Sequence, residues 1–163
     1  MAAGSTYTPI TTQTLGSSTS SVTISSIPST YTDLILIVNG TSSNENAFDL
    51  RFNGDTGANY STTAVYGTGS GSGASYRASG DTKMDVGRSD SSSGVSIINI
   101  QNYANATTYK TVLSRGNDSS LVIATVNLWR STSAITSLTI GRYTSGTSMN
   151  SGTTFTLYGI AAA

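Results

Sequence analysis

The sequence predicts an all-β protein, an antiparallel two-sheet β-sandwich of about nine to eleven strands with jelly-roll-like connections. Three observations predict this class. Apolar and polar residues alternate with period two in many short segments. These segments are separated by Gly, Asn, Pro or Ser at intervals of roughly 8 to 15 residues, and none shows the 3.6-residue period of a helix. We expect the 29 Ser and 27 Thr residues to occupy the solvent faces of the strands.

The length of 163 residues fits one domain with a core that needs no disulfides. We expect residues 1–10 to form a short N-terminal arm and residues 11–163 to form a single β-sandwich domain.

The first half of the chain contains three clear strand patterns. Residues 21–25 alternate as "SVTIS", and the apolar run from Leu34 to Val38 is typical of a strand covered on both faces. Phe48, Leu50 and Phe52 then share one face of a third strand, which leads directly into the turn-forming segment "NGDTGAN". A returning strand, "YSTTAVYG", follows that turn.

The second half begins with a glycine-rich segment, from Gly67 to Gly80, that we expect to be an exposed, mobile loop or a long hairpin tip. Six further strand patterns follow it. In one of them, "LVIATVNLWR", the alternation separates two sets of side chains: Val122, Ala124, Val126 and Leu128 on one face, and Thr125, Asn127 and Trp129 on the other.

Charge and composition argue against several classes of function. Only 10% of the residues are charged and the net charge is zero, so no electrostatic field would draw the chain to nucleic acid or to an anionic membrane. The N-terminus has no basic and apolar leader, and no apolar run has membrane-spanning length. We therefore expect neither a nucleic-acid partner nor a membrane partner.

Catalytic chemistry has few candidate residues. The chain has no cysteine and no histidine, which removes the commonest nucleophile–base pairs and metal ligands. Neither Lys83 nor Lys110 lies in an S-x-x-K arrangement. The segment "GTGSGSG" has no lysine after it and no helix to cradle a phosphate. We expect no enzymatic activity and no cofactor.

The segment "RFNGDTGANYS" allows two interpretations. Asn53, Asp55 and Asn59 offer hard oxygen ligands, which makes them a candidate calcium site. The loop has a single carboxylate and departs from EF-hand spacing, so a plain corner between two strands is the other interpretation.

Aromatic side chains supply the candidate binding residues. Trp129 lies beside Asn127 and Arg130, so its ring could stack on a sugar or anchor a subunit contact. The other interpretation is a Trp buried at the sandwich edge. The same two interpretations apply to three tyrosines near the glycine-rich segment: Tyr60, Tyr66 and Tyr76.

Four segments together resemble a known family: "SSVTISSIPSTYTDLILIV", "LRFNGDTGANYS", "LWRSTSAITSLTI" and "GTTFTLYGI". In this order they resemble a β-sandwich module of virion proteins of tailed bacteriophages, including cyanophages and other aquatic phages. The likeness covers almost the whole chain. It implies a surface-exposed, non-enzymatic appendage of the tail-fibre, receptor-binding or head-decoration kind.

The resemblance leaves the place on the virion open between head and tail, and the expected place and partners follow from the absence of a shaft. A sandwich without a shaft fits a decoration or cement protein on the outer surface of the capsid, made in the host cytoplasm and assembled as a homotrimer. Its partner would be the major capsid protein or another virion protein. The alternative is a tail-fibre or receptor-binding module that contacts a host surface glycan.

Overall fold

The computed structural model describes residues 6–69, 71, 73–92 and 94–161. Within these ranges the chain forms twelve strands and no helix. The strands are β1 Tyr7–Thr14, β2 Ser21–Ile24, β3 Asp33–Asn39, β4 Asn46–Phe52, β5 Tyr60–Thr68, β6 Ala74–Asp81, β7 Met84–Ser89, β8 Val95–Ile100, β9 Lys110–Asn117, β10 Leu121–Trp129, β11 Leu138–Arg142 and β12 Thr154–Ile160.

The strands form two sheets in which every pair is antiparallel. The large sheet has eight strands in the order β1-β12-β3-β8-β9-β10-β5-β6, and the small sheet has four in the order β2-β11-β4-β7. The predicted antiparallel two-sheet sandwich is thus confirmed, with more strands than predicted. A jelly roll has eight strands in two Greek keys, so an eight-and-four arrangement does not establish the jelly-roll part.

The apolar core lies between β4 and β11 of the small sheet and the first half of the large sheet. Phe48, Leu50 and Phe52 of β4 are fully buried, as their alternation predicts, and so are Leu34 and Leu36 of β3. Burying each of these side chains contributes about 1.5–3 kcal/mol, so this cluster supplies much of the driving force for folding.

The other half of the sandwich interior contains a polar strip, where β7, an edge strand of the small sheet, packs over the large sheet. The Thr125 hydroxyl donates a hydrogen bond to the Asp85 carbonyl at 3.0 Å, and the Asp85 amide donates to the Thr62 hydroxyl at 3.2 Å. Thr62 in turn donates to Asn127 Oδ1 at 2.6 Å, and Asn127 Nδ2 donates to Thr125 at 2.8 Å. We call Thr62, Thr125, Asn127 and the Asp85 backbone the polar seam.

Two glycines allow β7 to approach the large sheet closely. A Cβ on Gly87 would lie 2.0 Å from the Ser96 hydroxyl, and one on Gly116 would lie 2.7 Å from the same atom. Gly87 also has a φ of 134°, which side chains disfavour. The seam therefore depends on glycine at both positions.

The polar seam corrects one expectation from the sequence. Ser and Thr were expected on solvent faces, but Thr125 and Thr62 are buried, at 0% and 3% exposure. Their hydroxyls replace the strand partner that the outer edge of β7 lacks, and a buried backbone group without a partner costs about 1–3 kcal/mol.

The structure gives strand limits for two further segments. Of the predicted N-terminal arm, residues 1–5 lie outside the described residues, and from Tyr7 onward the chain forms β1 at the edge of the large sheet. Of the two structures predicted for the glycine-rich segment, a mobile loop or a long hairpin tip, the hairpin is the one observed, because residues 74–81 form β6 and pair with β5. Its Ser70 and Ser72 lie outside the described residues.

Replacing Thr125 by Val should destabilise the fold by about 1–3 kcal/mol, because the change removes the hydroxyl that bonds the Asp85 carbonyl and Asn127. The matched control is Thr63→Val, on the exposed face of the neighbouring strand β5. That control should change the free energy of unfolding by less than about 0.5 kcal/mol. Urea unfolding of both variants measures the difference. Equal midpoints would show that the seam contributes no stability.

Candidate interaction surface

The corner segment from Arg51 to Ser61 is held together by one carboxylate. Asp55 accepts hydrogen bonds from the Gly57 amide at 2.8 Å, from Asn59 Nδ2 at 3.0 Å and from Trp129 Nε1 at 2.7 Å. Burial alone would raise the pKa of Asp55, but these hydrogen bonds outweigh it and hold the pKa below its ordinary value.

Asn53, the third candidate calcium ligand, serves a different contact. Its backbone has a φ of 52°, and its side chain donates to the Ala134 carbonyl at 2.8 Å while accepting from the Thr136 amide at 2.9 Å. Within the described ranges, His, Cys, Asp and Glu residues form no group of three that could hold a metal ion. The observed geometry is that of a hydrogen-bonded corner.

The aromatic candidates Trp129 and Tyr60 are interior side chains. Trp129 is 2% exposed and Tyr60 is 0% exposed. Their rings stack at 6.4 Å with an interplanar angle of 13°, and Phe52 contacts Trp129 edge-on at 5.4 Å. The Tyr60 hydroxyl donates to the Asp55 carbonyl and accepts from the Phe52 amide, and burial raises its pKa to about 12. Neither ring presents a face to a sugar in this chain.

The remaining candidates lie in different places. Asn127 is buried in the polar seam. Arg130 is half-buried at the start of a loop, where its guanidinium donates to the Ser61 hydroxyl and, at 3.4 Å, to the Ser79 hydroxyl. Arg130 therefore ties β5 to β6 at one end of the large sheet.

Tyr66 and Tyr76 form a half-buried pair on β5 and β6, with ring centroids 6.4 Å apart. They pack against a small apolar cluster of Ala64, Leu121 and Ile123. The Tyr76 hydroxyl donates to the Asp85 carboxylate, and burial is the main cause that raises the pKa of both Tyr76 and Asp85.

The structure also exposes a surface that the sequence interpretation missed. Val122, Ala124 and Val126 of β10 point away from the small sheet, because Thr125 and Asn127 point toward it. Neighbouring strands continue this apolar surface, which we call the outer face. Its residues are Val65, Val95, Ile97, Leu113, Arg115, Val122, Ala124 and Val126.

The outer face is contiguous and strongly exposed. Val122 is 64% exposed, Val65 59%, Val126 52% and Leu113 44%. Val126 pairs with Leu113, and Ala124 pairs with Val65, so these side chains touch across strands. An exposed, contiguous apolar patch of this kind is a candidate site of association.

Charge and shape distinguish the outer face from the opposite side of the sandwich. Arg115 is the one formal charge among its eight residues, whereas the small sheet carries Asp49 in ion pairs with Arg51 at 3.3 Å and Lys83 at 3.7 Å. One end of the outer face forms an open groove of about 1050 Å³. The groove is lined by the turn at residues 118–120 and by apolar side chains that include Val65, Val95, Ile97, Val122 and Ala124.

Comparisons with protein-family models, curated proteins and solved structures found no match to this chain. The link to phage virion proteins therefore depends on the sequence motifs alone. Among the described residues, no helix is long and apolar enough to cross a membrane.

Replacing Asp55 by Asn should weaken the corner in a pH-dependent way. Because the folded-state pKa is below the ordinary value of 3.8, the carboxylate stabilises the fold above that value, and this stabilisation is lost as the pH falls through the folded-state pKa. The free energy of unfolding of the wild type should exceed that of Asp55→Asn by roughly 1–2 kcal/mol near pH 7. This difference should decrease as the pH falls below about 4.

The measurement is urea unfolding of both proteins across the pH range. Glu45→Gln is the control, since Glu45 is exposed and its carboxylate forms an ion pair with Arg88 at 3.8 Å. A difference between wild type and Asp55→Asn that stays constant down to pH 3 would show that the charge of Asp55 does not organise the corner.

Proposed function

We propose that this chain is a non-enzymatic structural protein of a bacteriophage virion, a decoration or cement protein on the outer surface of the head that associates through its outer face. The exposed aliphatic surface on β8, β9, β10 and β5 carries the association part of the proposal. The four motifs quoted above carry the virion part. Together, the outer face and the four motifs support a module that binds neighbouring subunits.

The chemistry of the outer face suits a structural contact. Its side chains are short, branched and aliphatic, and burying them contributes about 25 cal/mol for each Å² removed from water. A contact with one formal charge is little weakened by salt. Many copies, each adding a modest free energy, would together oppose the pressure of packaged DNA.

A receptor-binding module of a tail fibre is the second candidate. The half-buried pair Tyr66 and Tyr76 favours it, because two neighbouring rings at a sheet edge can pack on a sugar. Trp129 and Tyr60 would not take part, since both are buried. The pair offers much less exposed apolar area than the outer face, so the structural role is preferred.

Particles that carry the double variant Val122→Asp and Val126→Asp should lose resistance to heat and osmotic shock. The two carboxylates would have to be desolvated in any contact through the outer face, and each costs several kcal/mol to bury unpaired. The measurement is the infectious titre and the DNA release of purified particles after each treatment. Thr23→Asp, on the exposed side of the small sheet, is the matched control and should behave as wild type.

Two outcomes would contradict the head-cement role. One is a particle without this protein that keeps the same heat and osmotic resistance. The other is antibody labelling at the tail tip instead of the head, together with glycan binding that Tyr76→Ala abolishes while the fold is kept.

A further inference from the structure

We propose that the outer face packs against the same face of a second copy of this chain, about a two-fold axis near Leu113. The proposal rests on the proposed function for the use of the outer face as an association surface, and it names the partner. Four lines of geometry lead to it: where the exposed apolar residues lie, the shape of the face, the position of Arg115 and the area available.

The exposed large apolar side chains concentrate on one surface. Among the described residues they are Tyr7, Val65, Tyr109, Leu113, Val122 and Val126, and four of these six lie on the outer face. A cyclic trimer needs two different patches on each subunit, whereas a two-fold dimer uses one patch twice. A single apolar face therefore favours the two-fold arrangement over the three-fold one.

The shape of the face is self-complementary along β9. Tyr109, which is 55% exposed, directly precedes the strand, and the alternation that buries Lys110 and exposes Thr111 places Tyr109 on the outward side. Asn117 ends the same strand beside the groove. The face thus has an aromatic projection at one end and a hollow at the other.

Leu113 lies midway between these two ends, four residues or roughly 13 Å from each. A two-fold axis that lies between the two faces, parallel to the sheets and perpendicular to β9, and that passes over Leu113 reverses the direction of β9 in the second copy. It therefore sets Tyr109 of each copy over the groove of the other. Leu113 and Val126, which pair across β9 and β10, would then form the centre of the contact.

The arrangement tolerates the charge on the face. Arg115 is two residues from Leu113, so the two copies of Arg115 would fall on opposite sides of the axis, four residues or roughly 13 Å apart along the strand direction, and would not contact each other. The strand register places Asn99 and Asn117 on either side of Arg115 along the face. The amide oxygens of these two asparagines can accept hydrogen bonds from the Arg115 guanidinium. The chain has zero net charge, so two copies do not repel each other.

The area is at the lower limit for a specific pair. The four strands of the outer face, at their usual spacing and with about four outward residues in each, give a face of roughly 500 Å², so two copies would bury about 1,000 Å² in total, near the smallest area expected of a specific interface. Two sheets packed face to face in this way lie about 10 Å apart, as the sheets of a sandwich do.

Sedimentation equilibrium of the purified full chain should give twice the monomer mass of 16.7 kDa. Leu113→Asp brings two carboxylates together at the axis and should raise the dimer dissociation constant at least about 100-fold. Tyr109→Ala removes the projection and should raise it about tenfold. Thr23→Asp should leave it unchanged, and circular dichroism should show that every variant keeps the fold.

A charge-reversal pair tests the axis itself. A mixture of Leu113→Asp and Leu113→Lys should form a heterodimer, because only a contact that places Leu113 against its own copy puts the two new charges together. Neither variant alone should dimerise.

Three results would overturn the two-fold contact: a wild-type monomer at millimolar concentration, a wild-type trimer, or a dimer that Leu113→Asp leaves intact. These results differ from failure of the proposed function. A monomer whose outer-face variants still weaken particles would leave the cement role standing. A dimer whose outer-face variants have no effect on particles would remove the cement role and keep the contact.

Discussion

The hydrogen bonds between β10 and the edge of β7 determine most of what is distinctive about this sandwich. The outer edge of β7 has no strand partner in the small sheet, and Thr125 and Thr62 satisfy it with side-chain hydroxyls. These threonines must therefore face inward. Because side chains alternate strictly along a strand, turning Thr125 inward turns Val122, Ala124 and Val126 outward together. The exposed outer face is a consequence of the buried seam.

The same orientation connects the seam to the corner segment. Trp129 is two residues beyond Asn127 on the inward face of β10, so the register that places Asn127 in the seam also carries the indole toward β4 and β5. There it stacks on Tyr60 and donates to Asp55. The Asp55 carboxylate accepts hydrogen bonds from the corner segment and from β10. Hydrogen bonds to a charged acceptor are stronger than those between neutral groups. The segment from Arg51 to Ser61, a candidate calcium site in the sequence, is therefore a hydrogen-bonded connection between strands.

The sequence was informative wherever apolar alternation coincides with burial. Phe48, Leu50 and Phe52 of β4 were correctly placed in the core, because nothing competes with their transfer from water. On β10 the same alternation separated two faces but gave no indication of which one is inside. That choice depends on the Asp85 backbone, 40 residues away along the chain. The sequence left β6 undecided between a mobile loop and a hairpin for a related reason: its Ser, Arg and Gly residues have weak strand preference, and pairing with β5 decides its structure.

The valines of the outer face are not required by the strands that carry them. A β-branched side chain suits a strand, and threonine satisfies that preference as well as valine does. The same sheet places threonine at exposed outward positions such as Thr63 and Thr111. Val65, Val122 and Val126 add no core, since more than half of each side chain faces water. Their hydrophobic surface therefore contributes little to the stability of one copy and becomes favourable only when a second surface covers it.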